Sequence, residues 1–395
     1  MTKWKVLLLA LLLGIQTLAI AGLSEGVTAF EAKDYATALK EFVPLANQGN
    51  AQAQYNLGVM YNNGQGVPKD EAQAVAWYRK AAEQGNAVAQ NSLGFMYDNG
   101  RGVPKDEAQA VAWFSKAAEQ GNANAQTNLG SMYGIGLGVP KDEAQAVAWY
   151  RKAAEQGYAS AQYNLGVSYA DGRGVPKDEA QAVAWYRKAA EQGTAIAQYN
   201  LGNMYRNGRG VPKDETLAVA WYRKAAEQGY ADAQNNLGFM YRNGQGVQED
   251  IVLAYMLYNI AAANGNENAI SNRTSLEGTL SRQQITEAQA LASAWKPGTP
   301  FPKASRTGKI VAPAKKVTAA VPQPTPPKAA KSARVPAETV ATGNCRPKTS
   351  RITCQSQCFN GDCVVTYANG CKMRVTVASK FNPFNSQWEY PSPDC

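Results

Sequence analysis

The stretch VPKDEAQAVAWYRKAAEQG occurs three times without change, at Val67–Gly85, Val139–Gly157 and Val175–Gly193, and near copies fill Val103–Gly121 and Val211–Gly229. Gly58, Gly94, Gly130, Gly166, Gly202 and Gly238 advance in steps of 36, as do Trp77, Trp113, Trp149, Trp185 and Trp221. A sequence period between about 20 and 50 residues forces one kind of answer: equal supersecondary units, each unable to bury its apolar face alone, stacked into a solenoid or array.

Each 36-residue unit reads as two helices. In the first half, AQAQYNLGVMYNNG, the residues Ala53, Leu57, Met60 and Tyr61 share one face at helical spacing. Gly64 suits a left-handed helix end, and Pro68 in the link cannot continue a helix. Asp70 then offers an N-cap, with Gln73 completing a capping-box pattern. The second helix is expected to bury Ala74, Val75, Tyr78, Ala81 and Ala82, to wet Arg79, Lys80 and Glu83, and to stop at Gly85. Gly58 lies inside the first helix, where glycine costs about 1 kcal/mol relative to alanine. Close approach of a neighbouring helix is the expected compensation.

These residues carry a resemblance. AxAQxxLGxxY (Ala51–Tyr61), GxGVPKD (Gly64–Asp70) and AVAWYRKAAEQG (Ala74–Gly85) are similar to the Sel-one-like repeat (SLR), a relative of the tetratricopeptide repeat. The pattern covers six full units: 51–86, 87–122, 123–158, 159–194, 195–230 and 231–266. The resemblance implies a mainly α fold: a right-handed α-solenoid of antiparallel helix pairs, with the first helices lining a concave face. Lys33–Asn50 aligns with a second half-unit, and Leu23–Ala32 with a worn first helix; Leu280–Trp295 reads as a capping helix, so the solenoid runs over 22–295.

The copies differ mainly at the positions of Tyr55, Val59 and Asn62. Their counterparts are Asn91, Phe95 and Asp98, then Thr127, Ser131 and Gly134, then Tyr163, Val167 and Ala170. The last two sets are Tyr199, Asn203 and Arg206, and Asn235, Phe239 and Arg242. These positions point roughly opposite Leu57 on the helix and form one stripe. In a tetratricopeptide-like stack that stripe is the floor of a partner-binding groove. Phe95 and Phe239 are expected to be wet, and exposed aromatics mark contact sites. Arg206 and Arg242 favour an acidic segment or a carboxylate. A second ladder, Asn56, Asn128, Asn164, Asn200 and Asn236, with Ser92 in one unit, flanks the stripe. Its amides could hold an extended peptide backbone, or could bond a neighbouring helix or loop. The bland reading of the stripe is drift at tolerant surface positions.

Composition narrows the chemistry. The chain has no histidine, which removes the commonest general base and metal ligand. The six cysteines, Cys345, Cys354, Cys358, Cys363, Cys371 and Cys395, all lie in the last 51 residues. A cysteine-rich branch of the SLR family has been associated with β-lactams, but its cysteines lie inside the repeats. Here the repeats have none, and Ser293–Lys296 is an isolated Ser-x-x-Lys with no Lys-Thr-Gly. No catalytic set, metal cluster, phosphate loop or cofactor site emerges. The expected reading is a non-enzyme, with a β-lactamase-like hydrolase as a remote alternative.

The ends suggest export. Residues 1–21, MTKWKVLLLALLLGIQTLAIA, have a basic start, an apolar run and small residues at Ala19 and Ala21, the pattern of a cleaved signal peptide. Periplasmic location is expected, extracellular release is the variant, and no membrane span is expected after cleavage. Residues 296–343 hold nine prolines and nine Lys/Arg against one acid, a composition that predicts a disordered, extended tether. This segment could also meet an anionic envelope surface; nucleic acid is not expected. Residues 344–395 read as a small disulfide-stapled β module with tight turns at Asn360-Gly361 and Asn369-Gly370. Six cysteines allow 15 pairings, and spacing does not choose among them. The resulting expectation is an exported adaptor or scaffold of the bacterial envelope that binds a protein or extended peptide in the solenoid groove. The alternative is a cell-wall or polysaccharide factor working through the linker and tail.

Overall fold

The computed structural model describes residues 21–302 and, in the tail, the strand residues 355–359, 362–366, 372–376, 380–382 and 387–389. The chain divides into two units, Met1–Ala319 and Ala320–Cys395.

The first unit is an α-solenoid. It opens with α1 (residues 21–31) and α2 (Tyr35–Asn47). Six first helices follow: α3 (Ala51–Asn63), α5 (Ala87–Asn99), α7 (Ala123–Ile135), α9 (Ala159–Asp171), α11 (Ala195–Asn207) and α13 (Ala231–Asn243). They alternate with six second helices: α4 (Glu71–Glu83), α6 (Glu107–Glu119), α8 (Glu143–Glu155), α10 (Glu179–Glu191), α12 (Glu215–Glu227) and α14 (Ile251–Ala263). α15 (Glu267–Glu277) and α16 (Arg282–Ala294) both pack on α14 and close the stack. The sequence reading anticipated α16 and passed over α15. The latter buries only Ala269 and Leu276, so its apolar period is weak, although Asn266 caps it as Asn50 caps α3.

Local chemistry explains the boundaries. The Asp70 carboxylate accepts from the Gln73 N–H at 2.9 Å, and Gly64 ends α3 at φ +69°. The reciprocal half of the capping box is absent at α4. It forms instead at α16, where Ser281 and Gln284 bond each other's backbone. Ala74, Val75, Tyr78, Ala81 and Ala82 are all buried, as expected from their spacing. Gly58 is explained by contact: a Cβ there would stand 2.5 Å from the Tyr78 ring. The same aromatic-on-glycine contact recurs at Gly94 with Phe114 and at Gly166 with Tyr186.

Two polar ladders stitch the units together. Gln54 is buried and donates through Nε2 to the Ala46 carbonyl at 3.0 Å, while Gln84 Nε2 donates to Gln54 Oε1 at 2.6 Å. The arrangement repeats at Gln90, Gln126, Gln162 and Gln198. Each first helix is thus tied to the second helices on both sides of it. Tyr61, expected on the buried face, is only half-buried, whereas its counterparts Tyr205 and Tyr241 are buried. In later units the hydroxyl is met by an arginine of the preceding second helix: Arg79 to Tyr97 at 2.7 Å, Arg151 to Tyr169 at 2.9 Å and Arg187 to Tyr205 at 2.7 Å. Ser115 stands where Tyr133 would need that arginine.

Residues 296–302 are not part of an extended tether. Trp295 stacks on Phe301 at 5.0 Å, the Gly298 N–H donates to the Glu227 carbonyl, and the Phe301 N–H donates to the Glu227 carboxylate at 3.3 Å. Phe301 is 3% exposed, so apolar burial holds a proline-rich segment that composition alone assigns to a linker. The remainder, 303–343, lies outside the described residues, as do residues 1–20.

The second unit contains β1 (Gln355–Phe359), β2 (Asp362–Thr366) and β3 (Lys372–Thr376) in antiparallel order, with β4 (Lys380–Asn382) paired to β5 (Gln387–Glu389). Cys358 sits opposite Cys363 in the β1–β2 register. The disulfide candidates' side chains lie outside the described residues.

Candidate partner-binding face

The two surfaces of the stack differ in kind. On the second helices one arrangement is copied along the array, with a lysine ammonium over the tryptophan one turn before it. Lys80–Trp77, Lys116–Trp113, Lys152–Trp149 and Lys188–Trp185 lie within 3.9–4.1 Å of the ring centre. The first helices carry the residues that change.

Most of the expected stripe reaches solvent. Phe95 is 44% exposed; Tyr55, Val59, Asn62, Asn91, Asp98, Tyr163, Val167, Tyr199, Asn203 and Arg206 are half-buried, as are Phe239 and Arg242. Three positions do not fit. Thr127, Ala170 and Asn235 are buried, so Asn235 is withdrawn from the face. The reason is local: Thr127 Oγ1 turns back to the Ala123 carbonyl, and Asn235 Oδ1 accepts from Asn272 Nδ2 of α15 at 2.8 Å. Phe239 is less wet than expected because the Arg206 guanidinium lies 4.7 Å from its ring centre.

The asparagine ladder divides. Asn128 donates to Asn91 at 3.1 Å and Asn236 to Asn203 at 3.4 Å, so these two bond the neighbouring first helix. Asn56 accepts from Gln52 one turn earlier. Asn200 lies beside the Tyr163 hydroxyl. Among the described residues, the Asn164 side-chain amide makes no hydrogen bond.

Behind the stripe stands a row of aromatic rings from the second helices. Tyr55 lies 5.8 Å from Tyr78, Tyr163 5.9 Å from Tyr186, and Tyr199 6.0 Å from Tyr222. The stripe residue decides whether the ring's hydroxyl is satisfied. Tyr150 donates to Ser131 at 3.1 Å and Tyr222 to Asn203 at 2.6 Å. Where the stripe offers Phe95, the second helix carries Phe114 and needs no partner. Where it offers Phe239, the second helix keeps Tyr258, whose buried hydroxyl lies near the Arg242 guanidinium but makes no well-formed hydrogen bond among the described residues. Burial pushes the Tyr222 and Tyr258 phenols up to about 12, so both stay protonated at neutral pH. Tyr258→Phe is therefore expected to be neutral or to stabilise by up to about 1 kcal/mol, measured as the urea midpoint, because it removes an unsatisfied buried polar group. The corresponding Tyr222→Phe should instead destabilise by about 1 kcal/mol.

Charge on this face is uneven. Arg101 holds Glu71 at 2.7 Å and Arg209 holds Glu179 at 2.9 Å. Among the described residues, Arg206 and Arg242 have no carboxylate partner; Arg242 donates to the Ser275 hydroxyl at 2.8 Å. No group of three or more metal-ligating side chains forms among the described residues, and none of the described helices is long and apolar enough to cross a membrane.

The Sel1 repeat model matches residues 51–86, 87–122, 123–158, 159–194, 195–230 and 231–266, more than half of the chain. The chain belongs to the Sel1 repeat family. Its repeats resemble a Sel1 repeat protein from Oxalobacter formigenes, 36% identical over 61% of this chain and 96% of that one, with a TM-score of 0.57. They also resemble a protective antigen of uropathogenic Escherichia coli strains that displays an SLR fold, 37% identical over 69% of this chain and 68% of that one, with a TM-score of 0.48. No curated protein matches the chain. The glutamine ladder, which sequence reasoning did not single out, was present as an unvarying Gln in every AxAQ of these Sel1 units.

Proposed function

We propose that this Sel1 repeat protein is a non-enzymatic adaptor that binds an acidic segment of another protein along its first-helix face. The observation that carries the reading is the pair of half-buried arginines, Arg206 and Arg242, held on adjacent first helices without carboxylate partners. Desolvating a guanidinium is unfavourable unless an anion accompanies it, and a bidentate carboxylate suits that geometry. The rest of the repeat is engaged in holding the stack: glycines under aromatic rings, glutamines between helices, arginines on tyrosines. The stripe is the part of the unit that changes while the scaffold does not.

Export to the bacterial envelope is part of the same proposal. It is supported by the signal-like residues 1–21 and by confinement of all six cysteines to the tail. Cell fractionation with N-terminal sequencing checks it: the expected product begins after Ala21, in the periplasm.

The face is tested by affinity capture from envelope extract. The mature protein is run beside a variant carrying Phe95→Ala, Arg206→Ala, Phe239→Ala and Arg242→Ala, shown by circular dichroism to be folded. The expected result is a partner retained by the wild type and reduced at least tenfold with the variant, more so at low salt. Equal retention by both proteins would remove the first-helix face as the binding surface.

A further inference from the structure

We propose that a pocket between the third and fourth repeats anchors the partner, taking one large apolar side chain of a segment that carries a carboxylate close to it in sequence. The inference rests on the first-helix face being the binding face, and names what that face recognises.

The pocket has a volume of about 340 Å³ and is walled by α7, α8 and α9. That is the low end of the range for ligand sites, suited to one side chain. Two unit-specific replacements open it. Met60, Met96, Met132, Met204 and Met240 occupy one buried position in five repeats; in α9 that position is Ser168. On α7 the stripe residue is Gly134, where the other repeats carry Asn62, Asp98, Ala170, Arg206 and Arg242. Packing does not demand this glycine. A Cβ there would meet the Ala146 Cβ at 3.6 Å and the Tyr150 hydroxyl at 3.8 Å, which is ordinary contact. At Gly130, one turn earlier, a Cβ would come within 2.7 Å of the Tyr150 ring. Gly134 thus sits in a helix, against its propensity, on the wall of the pocket.

The interior is prepared for carbon. Ser168 Oγ donates to the Asn164 carbonyl at 3.0 Å, Ser131 Oγ to the Thr127 carbonyl at 3.1 Å, and Tyr150 to Ser131. With those hydroxyls paired, Val167, Ala146 and the Tyr150 ring remain as apolar wall, and Ile135 beside them is 65% exposed. The remaining polar groups of the lining are the Asn164 amide, placed for a peptide backbone, Glu143, which Lys141 holds at 2.7 Å, and Arg173. Arg173 does not hold Glu143 as Arg101 holds Glu71; it pairs with Asp171, two residues back, at an exposed site. Exposed pairs of this kind are worth little and yield readily to an incoming carboxylate. Arg206 on the next first helix continues the same charge preference.

The test is a methyl NMR titration of the full chain with N-acetyl-L-phenylalanine and with its amide. Both probes are expected to shift the Val167 and Ala146 methyls with dissociation constants of about 1 mM, as befits fragments. Ser168→Met and Gly134→Asn each install a residue that other repeats hold at that place, so folding is preserved; each is expected to weaken binding at least tenfold. Arg173→Gln is expected to leave amide binding intact and to erase a roughly threefold preference for the carboxylate. No methyl shifts in the wild type, or undiminished binding to both filled variants, would overturn the pocket. A preference absent from the wild type, or surviving Arg173→Gln, would overturn its acidic half. Envelope capture with Ser168→Met separates this from the face itself. Retention that depends on Phe95 and Arg206 but is untouched by Ser168→Met refutes the anchor alone. Probe binding with no retained partner refutes the face alone.

Discussion

Gly174→Ala is expected to lower the stability of the central repeats by about 3 kcal/mol or more, although it adds one methyl group. Gly174 has φ +68°, where an L side chain is strained by about 1–2 kcal/mol. The new Cβ would also overlap the Glu143 carbonyl group and stand 2.9 Å from the Ala144 nitrogen. Those atoms are the first turn of α8, so the loop after α9 rests directly on the preceding repeat and cannot move without parting the two units. Gly157→Ala is the control: its φ is +89°, yet a Cβ there would meet nothing within 4 Å. It should lose only the backbone term, about 1 kcal/mol. Urea unfolding of the full chain, with amide exchange read at α8 and α9, measures both. Equal losses would mean that conformation alone, and not contact between repeats, sets the need for glycine at Gly174. The exchange data are needed because a repeat array opens locally.

Gln126→Leu is expected to cost about 2 kcal/mol, although it trades a polar side chain for an apolar one of similar size. Gln126 is 4% exposed. Its Nε2 donates to the Ala118 carbonyl at 3.1 Å, and its Oε1 accepts from Gln156 Nε2 at 2.8 Å. Leucine removes both of these bonds, and with them the polar link from α6 through α7 to α8; the Ala118 carbonyl keeps only the Gly121 and Gln120 N–H groups of its own helix end. Gln156 is exposed, so Gln156→Leu should lose under about 1 kcal/mol, its partner keeping the Ala118 bond. The difference between the two variants in urea midpoint is the readout. Similar midpoints would show that the ladder is replaceable and that apolar packing alone couples the repeats.

The sequence by itself determined the architecture and the helix boundaries. A 36-residue step in glycine and tryptophan requires equal units, and Pro68, Asp70, Gly64 and Gly85 mark where helices stop and start, because turn and cap chemistry is local. The stripe was legible for the same reason: helical geometry alone puts Tyr55, Val59 and Asn62 opposite Leu57.

Tertiary structure decided what a helix wheel cannot hold. Whether Asn235 is wet depends on Asn272 of α15, and whether Asn128 is free depends on Asn91 a whole repeat earlier. Phe301 is buried because the chain doubles back onto Glu227, a contact 74 positions away in sequence. The pocket at Gly134 and Ser168 is likewise a product of three helices. Each replacement reads as ordinary drift within its own unit, and only the packing of α7 and α8 against α9 turns two missing side chains into one space. Local signals fix backbone conformation within a few residues; the burial of a side chain is set by neighbours a repeat or more away, and that information exists only once the units are stacked.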